Sequence, residues 1–363
     1  MKILDKKELK EVIQSGHINL LIGSGCSLNY LDTLGDIENE MNDEAKREEA
    51  QKKYYRLIRK SKSVLDEELE TDSKQKKELS RVKANYDDFV RFWTEAMFRR
   101  SLKIVNKQVN VFSTNFDMFF EDACERLEAP YNDGFAGQLN PVFDVGNFNK
   151  IQQYKSLQFD NTSDIPLFNI IKLHGSLSWK TNQESESISY SNGSHIDDKL
   201  DEKNGDDFKK AYEEQLAVIN PNAEKHFTTV LDTNYASLLR KFTLELEKEN
   251  SVLFVVGFSL ADEHIRKLLY SVMKSNPTLI VVYMSYSQYV ESPKSKKDKE
   301  TNERLEPLMK EESSRSNFYI VMNPDGSSMP FEKTTEYFET ILPRDDVASD
   351  SKDDSEVKED GKD

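Results

Sequence analysis

The sequence has few residues from which a metal site or a disulfide framework could be built. It contains two cysteines, Cys26 and Cys124, in 363 residues. Two separated thiols cannot form a four-thiolate zinc site, and their number argues against disulfide cross-linking. No apolar run approaches the roughly 20 residues of a membrane-spanning helix, and the polar segment 1–16 is unlike a secretory signal peptide. We therefore predict a cytoplasmic protein with no metal, no prosthetic group and no membrane contact.

The chain also lacks an excess of basic residues. Lysine and arginine number 50 against 66 acidic residues, which gives a net charge of −16. Binding to nucleic acid depends on a basic face that neutralises phosphates, so direct nucleic-acid binding is not expected. Hydrophobic residues make up 37% and charged residues 32% of the chain. Part of the chain should therefore lie in solvent, around one large domain that we place at residues 1–343.

Short apolar runs rich in β-forming residues alternate with helical patterns. Most of the runs lack polar alternation, which is typical of parallel strands that are buried on both faces. The predicted strands are residues 19–22, 109–113, 168–173, 216–219, 252–256, 278–284 and 318–322. Alternation of this kind predicts a doubly wound α/β fold of the Rossmann-like type, with a mostly parallel sheet.

Four segments do not fit this core. We interpret residues 36–108 as a helical insertion between the first and second strands, because residues 36–83 carry 13 charges of each sign. This part is predicted either to form subunit or partner contacts or to fold back as a lid over the site. Residues 181–207 are predicted to be a polar loop and residues 287–316 an exposed charged connection. The acidic tail 344–363 is too polar to bury a core face and is predicted to be disordered.

The first strand ends in a glycine-containing turn, Gly23-Ser24-Gly25-Cys26-Ser27. A strand that runs into Gly-x-Gly and opens a helix is suited to a pyrophosphate, because glycine admits close backbone approach and a helix start offers free N–H groups. Ser27 is expected to cap the helix or to bind a phosphate. The third glycine of the dinucleotide fingerprint is replaced by Leu28, so a tight strand-to-helix turn is the alternative interpretation of this motif alone.

Three later strands are also followed by polar residues. Their sequences are Thr114-Asn115-Phe116-Asp117, His174-Gly175-Ser176 and Gly257-Phe258-Ser259-Leu260-Ala261-Asp262. Ligands of open α/β sheets bind outside the carboxyl ends of the strands. Four polar strand ends therefore predict one shared site, although a single Asn or Asp in such a place is often only a helix cap.

These four motifs, in this order, resemble those of the sirtuin family of NAD-consuming enzymes. The chain is most similar to the bacterial sirtuin-like branch found in phage-defence systems, over residues 15–30, 105–180 and 215–275. It departs from the protein-deacylating members, because it lacks paired Cys-x-x-Cys motifs and the Gly-x-Pro-x-Phe-Arg stretch after the first loop. The resemblance thus implies cleavage of NAD by water rather than deacylation of a peptide.

The resemblance assigns roles to individual residues. Asn115 is implied to orient a water beside the anomeric carbon, and His174 to bind ribose hydroxyls or to act as general base. Asp117 is implied to order the site and to favour the developing positive charge. The residues expected to bind NAD are Gly23, Ser24, Gly25, Ser27, Thr114, Gly257, Ser259 and Asp262. The alternatives are helix capping for Asn115, Asp117 and Asp262, and a core histidine for His174.

The predicted function is that of an NAD glycohydrolase, which yields nicotinamide and ADP-ribose. NAD is then a substrate, and no prosthetic group is needed. The resemblance implies an effector of anti-phage defence that depletes NAD and is controlled by homo-oligomerisation or by a partner. The implied partner is a HerA-like ATPase or, alternatively, an Argonaute-type protein. The alternative function is a regulatory subunit that binds NAD or ADP-ribose without cleaving it.

Overall fold

The computed structural model describes most of the chain. The described residues are 5–33, 37, 40–41, 43–100, 105–158, 160–182, 187–215, 229–284, 296–309, 317–323 and 329–343. The predicted strand 216–219 and the predicted acidic tail 344–363 lie outside these residues. None of the described helices is long and apolar enough to cross a bilayer.

Strands and helices alternate along the chain. The strands are β1 (His17–Ile22), β2 (Gln108–Ser113), β3 (Tyr131–Asn132), β4 (Phe135–Ala136), β5 (Val142–Phe143), β6 (Gln153–Lys155), β7 (Thr162–Asp164), β8 (Leu167–Lys172), β9 (Trp179–Asn182), β10 (Ser187–Tyr190), β11 (Ser251–Val256), β12 (Ile280–Met284) and β13 (Phe318–Val321). The helices are α1 (Lys6–Ser15), α2 (Arg47–Ser61), α3 (Ser73–Phe98), α4 (Phe119–Arg126), α5 (Gly205–Gln215), α6 (Thr229–Leu246), α7 (Glu263–Ser275), α8 (Lys296–Met309) and α9 (Phe331–Ile341).

The central sheet has seven strands in the order β13-β12-β11-β1-β2-β8-β3. All of its strand pairs are parallel. The chain builds the sheet outward from β1 on one side and then returns to add β11 on the other side. The position between β1 and β11 is therefore a topological switch point, where such sheets bind ligands. The predicted doubly wound fold is confirmed.

The two faces of the sheet are covered by different helices. Along β11, Val252, Phe254 and Val256 pack on the side of α1, α3, α4 and α9. Leu253 and Val255 point to the other side, where they pack against α6, α7 and α8. Because successive strand residues point to opposite faces, an uninterrupted apolar run is what a sheet with helices on both sides requires.

A row of asparagines crosses the buried centre of the sheet. Asn19, Asn110 and Asn169 stand at paired register positions on β1, β2 and β8. The side chain of Asn110 donates to Asn19 Oδ1 at 3.0 Å, and that of Asn169 donates to Asn110 Oδ1 at 2.9 Å. Asn110 also donates to a carboxylate oxygen of Glu245 on α6 at 3.0 Å. This asparagine row links three strands through side chains as well as backbone.

Two predicted irregular segments contain regular structure. Within residues 181–207, β10 pairs antiparallel with β9, and Ile188 and Leu200 are buried. Within residues 287–316, α8 buries Leu305 and Leu308 against the sheet. Both predictions were wrong over these parts, because a few apolar residues in a polar segment are enough to dock it. The rest of residues 287–316 lies outside the described part of the chain.

A third core lies apart from the two faces of the sheet. It joins α2 and α5 to residues that flank the predicted site. Its buried residues are Ile37, Met41, Ala50, Tyr54, Tyr55, Ile58, Phe116, Met118, Leu177, Ile196, Leu200, Phe208 and Tyr212. Tyr54, Tyr55 and Ile58 belong to the segment 36–83, for which subunit contacts or a lid were predicted, and their side chains are buried within the chain. In the same segment Leu57 is partly buried, while Leu65 and Leu69 are exposed.

Candidate active site at the carboxyl edge of the sheet

The register of the sheet brings the four polar strand ends to one edge. Ile22 at the end of β1 pairs with Val256 on one side and with Ser113 on the other. Ser113 in turn pairs with Lys172 at the end of β8. The four motifs therefore leave four adjacent strands at the same level, as the sequence interpretation expected.

The glycine turn after β1 packs tightly against the loop after β11. The Gly23 and Gly25 amides donate to the carbonyls of Val256 and Gly257 at 3.0 and 2.8 Å. A Cβ on Gly23 would lie 2.6 Å from the Gly257 carbonyl oxygen, and a Cβ on Gly25 would lie 2.7 Å from it. Contact between two loops thus explains why both positions are glycine. The turn opens a short 3-10 helix, Ser24–Ser27.

Asn115 connects the β2 loop to the glycine turn. Its side-chain Nδ2 donates to the Gly23 carbonyl at 3.1 Å, and its backbone amide donates to Ser113 Oγ at 3.1 Å. The side chain is buried, with 6% of the residue exposed. The side-chain bond crosses to the neighbouring strand end and orients the side-chain amide, while the second bond fixes the backbone of Asn115. Its carbonyl oxygen is an acceptor of the kind that can hold a water molecule.

Asp117 lies beneath this loop and is buried. Its carboxylate accepts a hydrogen bond from Ser27 Oγ at 2.8 Å, and Ser27 Oγ lies 3.2 Å from the Tyr86 hydroxyl. Burial raises the pKa of Asp117, and this effect is partly offset by the charge of Lys172 and the Ser27 hydroxyl. Asp117 therefore ties the β2 loop to the end of the glycine turn.

Lys172 is a buried charge that the sequence interpretation missed. Its ammonium lies 3.0 Å from the buried carboxylate of Glu121 and donates to the Asp117 carbonyl. Burial raises the pKa of Glu121, and Lys172 opposes the shift. The available signal was a single lysine at the end of an apolar strand, two residues before His174.

His174 pairs with Asp262 across the edge of the sheet. Nε2 of His174 lies 3.1 Å from Oδ2 of Asp262, and the two side chains are 20% and 21% exposed. Burial acts to raise the pKa of Asp262, but bonding to His174 and to the helix amides outweighs burial and lowers it to about 2. Tyr235 of α6 lies beside the imidazole, with 6.4 Å between the ring centroids.

The remaining predicted residues lie along the same edge. Thr114 is half-buried and donates to the Ile22 carbonyl through its amide at 3.0 Å. Ser24 is half-buried, and Ser259 is exposed. Cys26 is buried, and burial raises the pKa of its thiol well above the ordinary value. Among the described residues, no three His, Cys, Asp or Glu side chains gather as a metal site.

The fold and this edge define an α/β protein of the kind that binds nucleotides at a switch point. The SIR2-like domain family matches residues 109–308. The match covers more than half of the chain, which therefore belongs to the SIR2-like domain family. No curated protein matches this chain.

Two solved structures are similar to the chain at low identity. One is a Sir2 homologue in complex with NAD, at 13% identity and a TM-score of 0.42, covering 93% of this chain and 94% of the other. The second is a structure described as showing the mechanism and regulation of Sir2 enzymes. It is 13% identical with a TM-score of 0.35, and the match covers 93% of this chain and 98% of the other.

Proposed function

We propose that this protein is an NAD glycohydrolase that releases nicotinamide and ADP-ribose. The observation that supports the proposal best is the fixed amide of Asn115, bound to the glycine turn at the switch edge of a SIR2-like domain. His174 stands at the same edge with partial exposure, so it can meet a substrate.

The chemistry suits these groups. Cleavage of the bond between nicotinamide and ribose passes through an oxocarbenium-like state, so the protein has to position the ribose, place a water and stabilise positive charge. Asn115 holds the water, and His174 binds a ribose hydroxyl or accepts the proton of the water. Asp117 acts as a positioning residue, since its carboxylate contacts Ser27 rather than an open surface.

The nucleotide is proposed to lie along the loops after β1, β2 and β11. Gly23, Ser24, Gly25, Ser27, Thr114, Gly257 and Ser259 are the proposed binding residues. Because the amides of Gly23 and Gly25 donate to the loop after β11, these two glycines are proposed to shape the turn that faces the nucleotide rather than to donate hydrogen bonds to it. Asp262 was also predicted to bind NAD, and its carboxylate lies 3.1 Å from the imidazole of His174.

The wider role is proposed from the resemblance to defence proteins. Unregulated cleavage would exhaust the NAD of a cell, so an effector of anti-phage defence has to be held inactive until infection. Control by homo-oligomerisation or by a HerA-like ATPase partner, or alternatively an Argonaute-type partner, meets this need.

The function is tested by nicotinamide release from NAD, with the purified chain alone and with its genomic neighbour. Asn115→Ala and His174→Ala should each lower turnover roughly 100-fold or more, the range for removal of one positioned catalytic group. His264→Ala is the matched control, since this histidine is exposed on α7. A binding module would instead retain NAD or ADP-ribose on the column without any cleavage by the wild-type chain. That outcome, or unchanged turnover in both variants, contradicts the proposal.

A further inference from the structure

The contact between His174 and Asp262 joins two loops that begin far apart in the sheet. His174 follows β8 and Asp262 follows β11, and β1 and β2 lie between these strands. Adjacent strands are about 4.8 Å apart, so three steps separate the strand ends by roughly 14 Å. A distance of 3.1 Å between Nε2 and Oδ2 means that the two loops together span the ends of β1 and β2. The pair therefore stands directly above the proposed site.

The two oxygens of Asp262 have separate partners. Oδ1 accepts hydrogen bonds from the backbone amides of His264 and Ile265 at 2.9 and 3.0 Å, which caps α7. Oδ2 faces His174. The loop before the cap is braced by Arg266, whose guanidinium donates to the Leu260 carbonyl at 2.6 Å. The helix start thus holds the carboxylate in one orientation, and a histidine is presented to its remaining oxygen.

We propose that Asp262 is a positioning residue that fixes the tautomer and orientation of His174. The proposal rests on the proposed function, and it replaces the prediction that Asp262 binds NAD, for example through a ribose hydroxyl. A carboxylate only accepts hydrogen bonds, so the neutral imidazole must carry its proton on Nε2 to bond with it. Nδ1 is then the ring nitrogen that takes a proton from the ribose hydroxyl or the water. When it does, the carboxylate stabilises the imidazolium that forms.

The two roles for Asp262 predict different kinetics. Asp262→Ser retains a good helix cap but is too short to reach the imidazole. If Asp262 positions His174, this variant should lose roughly 100-fold in kcat with little change in KM for NAD. Asp262→Glu keeps the carboxylate and should recover part of the loss. A rise in KM with unchanged kcat would instead identify a ribose ligand and overturn the proposal.

A matched control separates the effect of weakening a helix cap from the effect of losing the imidazole contact. Asp72 caps α3 through the backbone amides of Lys74 and Gln75 at 2.8 and 2.9 Å, in the same way that Asp262 caps α7. Asp72→Ser should leave kcat within twofold of wild type. An equal loss of kcat in Asp72→Ser and Asp262→Ser would show that a weakened helix start, and not the imidazole contact, is responsible.

A second measurement does not depend on activity. Nitrogen-15 spectra of the full chain at pH 8 report the tautomer of each of its five histidines, and His174→Ala identifies the signal of His174. We expect proton occupancy on Nε2 in the wild type and a mixture of tautomers in Asp262→Ser. Protonation on Nδ1 in the wild type, or no difference between the two proteins, would overturn the proposal. If the wild type releases no nicotinamide, the proposed function fails while this measurement still decides the role of Asp262.

Discussion

At the scale of single residues, Gly257 occupies a position in the site where no residue with a side chain fits. Its φ of 62° lies in the left-handed region that favours glycine. A Cβ at this position would lie 2.6 Å from both the amide nitrogen and the sulfur of Cys26. The residue therefore meets two demands at once, a backbone conformation and a close approach to the glycine turn.

Gly257→Ala should destabilise the protein by more than the about 1–3 kcal/mol that backbone strain alone costs. Gly205→Ala is the control, because Gly205 has a φ of 57° and no atom within 4 Å of its added Cβ. Chemical denaturation of both variants separates the two contributions, since only Gly257→Ala adds the clash. Equal losses of stability would show that the two loops move apart without cost.

The buried carboxyls predict a second residue-scale effect. Lys172 is the charged partner of Glu121, and both are almost fully buried. Lys172→Met keeps the length of the side chain but leaves a buried carboxyl without its cation, which costs about 3–5 kcal/mol. The double variant with Glu121→Gln should recover part of this loss. Thermal unfolding of the single and double variants measures the coupling, and no recovery would mean that Lys172 acts through the Asp117 carbonyl alone.

At the scale of elements, α2 supports the loop that carries Asn115. Tyr54 on α2 meets Phe116 edge to face, with 5.6 Å between ring centroids at 90°. Phe116 directly follows Asn115 in the chain, and its carbonyl accepts a hydrogen bond from the Leu177 amide at 2.9 Å. The third core thus connects the charged helical segment to both the β2 and the β8 loops. This arrangement fits the alternative in which the segment folds back over its own domain.

Tyr54→Ala should lower the free energy of unfolding by about 3 kcal/mol, as truncation of a large core side chain does. It should also reduce NAD cleavage, because the backing of Phe116 is lost. Leu69→Ala is the control: Leu69 is 53% exposed, and surface changes stay within about 0.5 kcal/mol. Light scattering of both variants tests the alternative that this segment forms subunit contacts. A loss of assembly in Leu69→Ala with an unaffected Tyr54→Ala would assign this segment to subunit contacts.

Some of the strands and helices could be predicted from the sequence and others could not. Strands β1, β2, β8 and β11 are mostly apolar and lack polar alternation, so the sequence predicted their burial on both faces. Strand β10, Ser187–Tyr190, lies in a polar stretch and depends on pairing with β9, which is a tertiary contact. Helix α8 depends on two leucines among charged residues. Such elements are stabilised by contacts with residues distant in the sequence, and the local sequence pattern does not indicate those contacts.

The same limit applies to the candidate site. The apolar runs predict a parallel sheet, and the carboxyl ends of parallel strands meet at one edge. The sequence therefore predicted that the four polar strand ends lie together. The pairing of His174 with Asp262 did not follow, because it depends on how far two loops extend over the sheet. The sequence explained Gly23 and Gly25 by close approach of a nucleotide, and the structure adds a second reason, since a Cβ on either residue would meet the loop after β11. A glycine in a sequence does not reveal which surface approaches it.

At the scale of the whole molecule, stability in acid should depend on Asp262. Its pKa is lowered from 3.8 to about 2 in the folded protein. The folded state therefore favours the ionised carboxylate. The contribution of Asp262 to the free energy of unfolding is fully present above pH 4 and is lost as the pH falls to about 2. The shift corresponds to about 2 kcal/mol. The difference in unfolding free energy between wild type and Asp262→Ser should grow from pH 2 to pH 4. A difference that is independent of pH would contradict the assignment of the charge.

The asparagine row has a consequence for the fidelity of folding. Asn19, Asn110 and Asn169 precede Gly23, Asn115 and His174 by four or five residues, so a strand that pairs out of step also displaces its loop. A slip of two residues would preserve the alternation of faces while moving a loop by about 6.6 Å. Apolar side chains alone penalise such an error weakly. Buried amides without partners cost about 1–3 kcal/mol each, so the asparagine row discriminates against misaligned chains that would otherwise be compact but inactive.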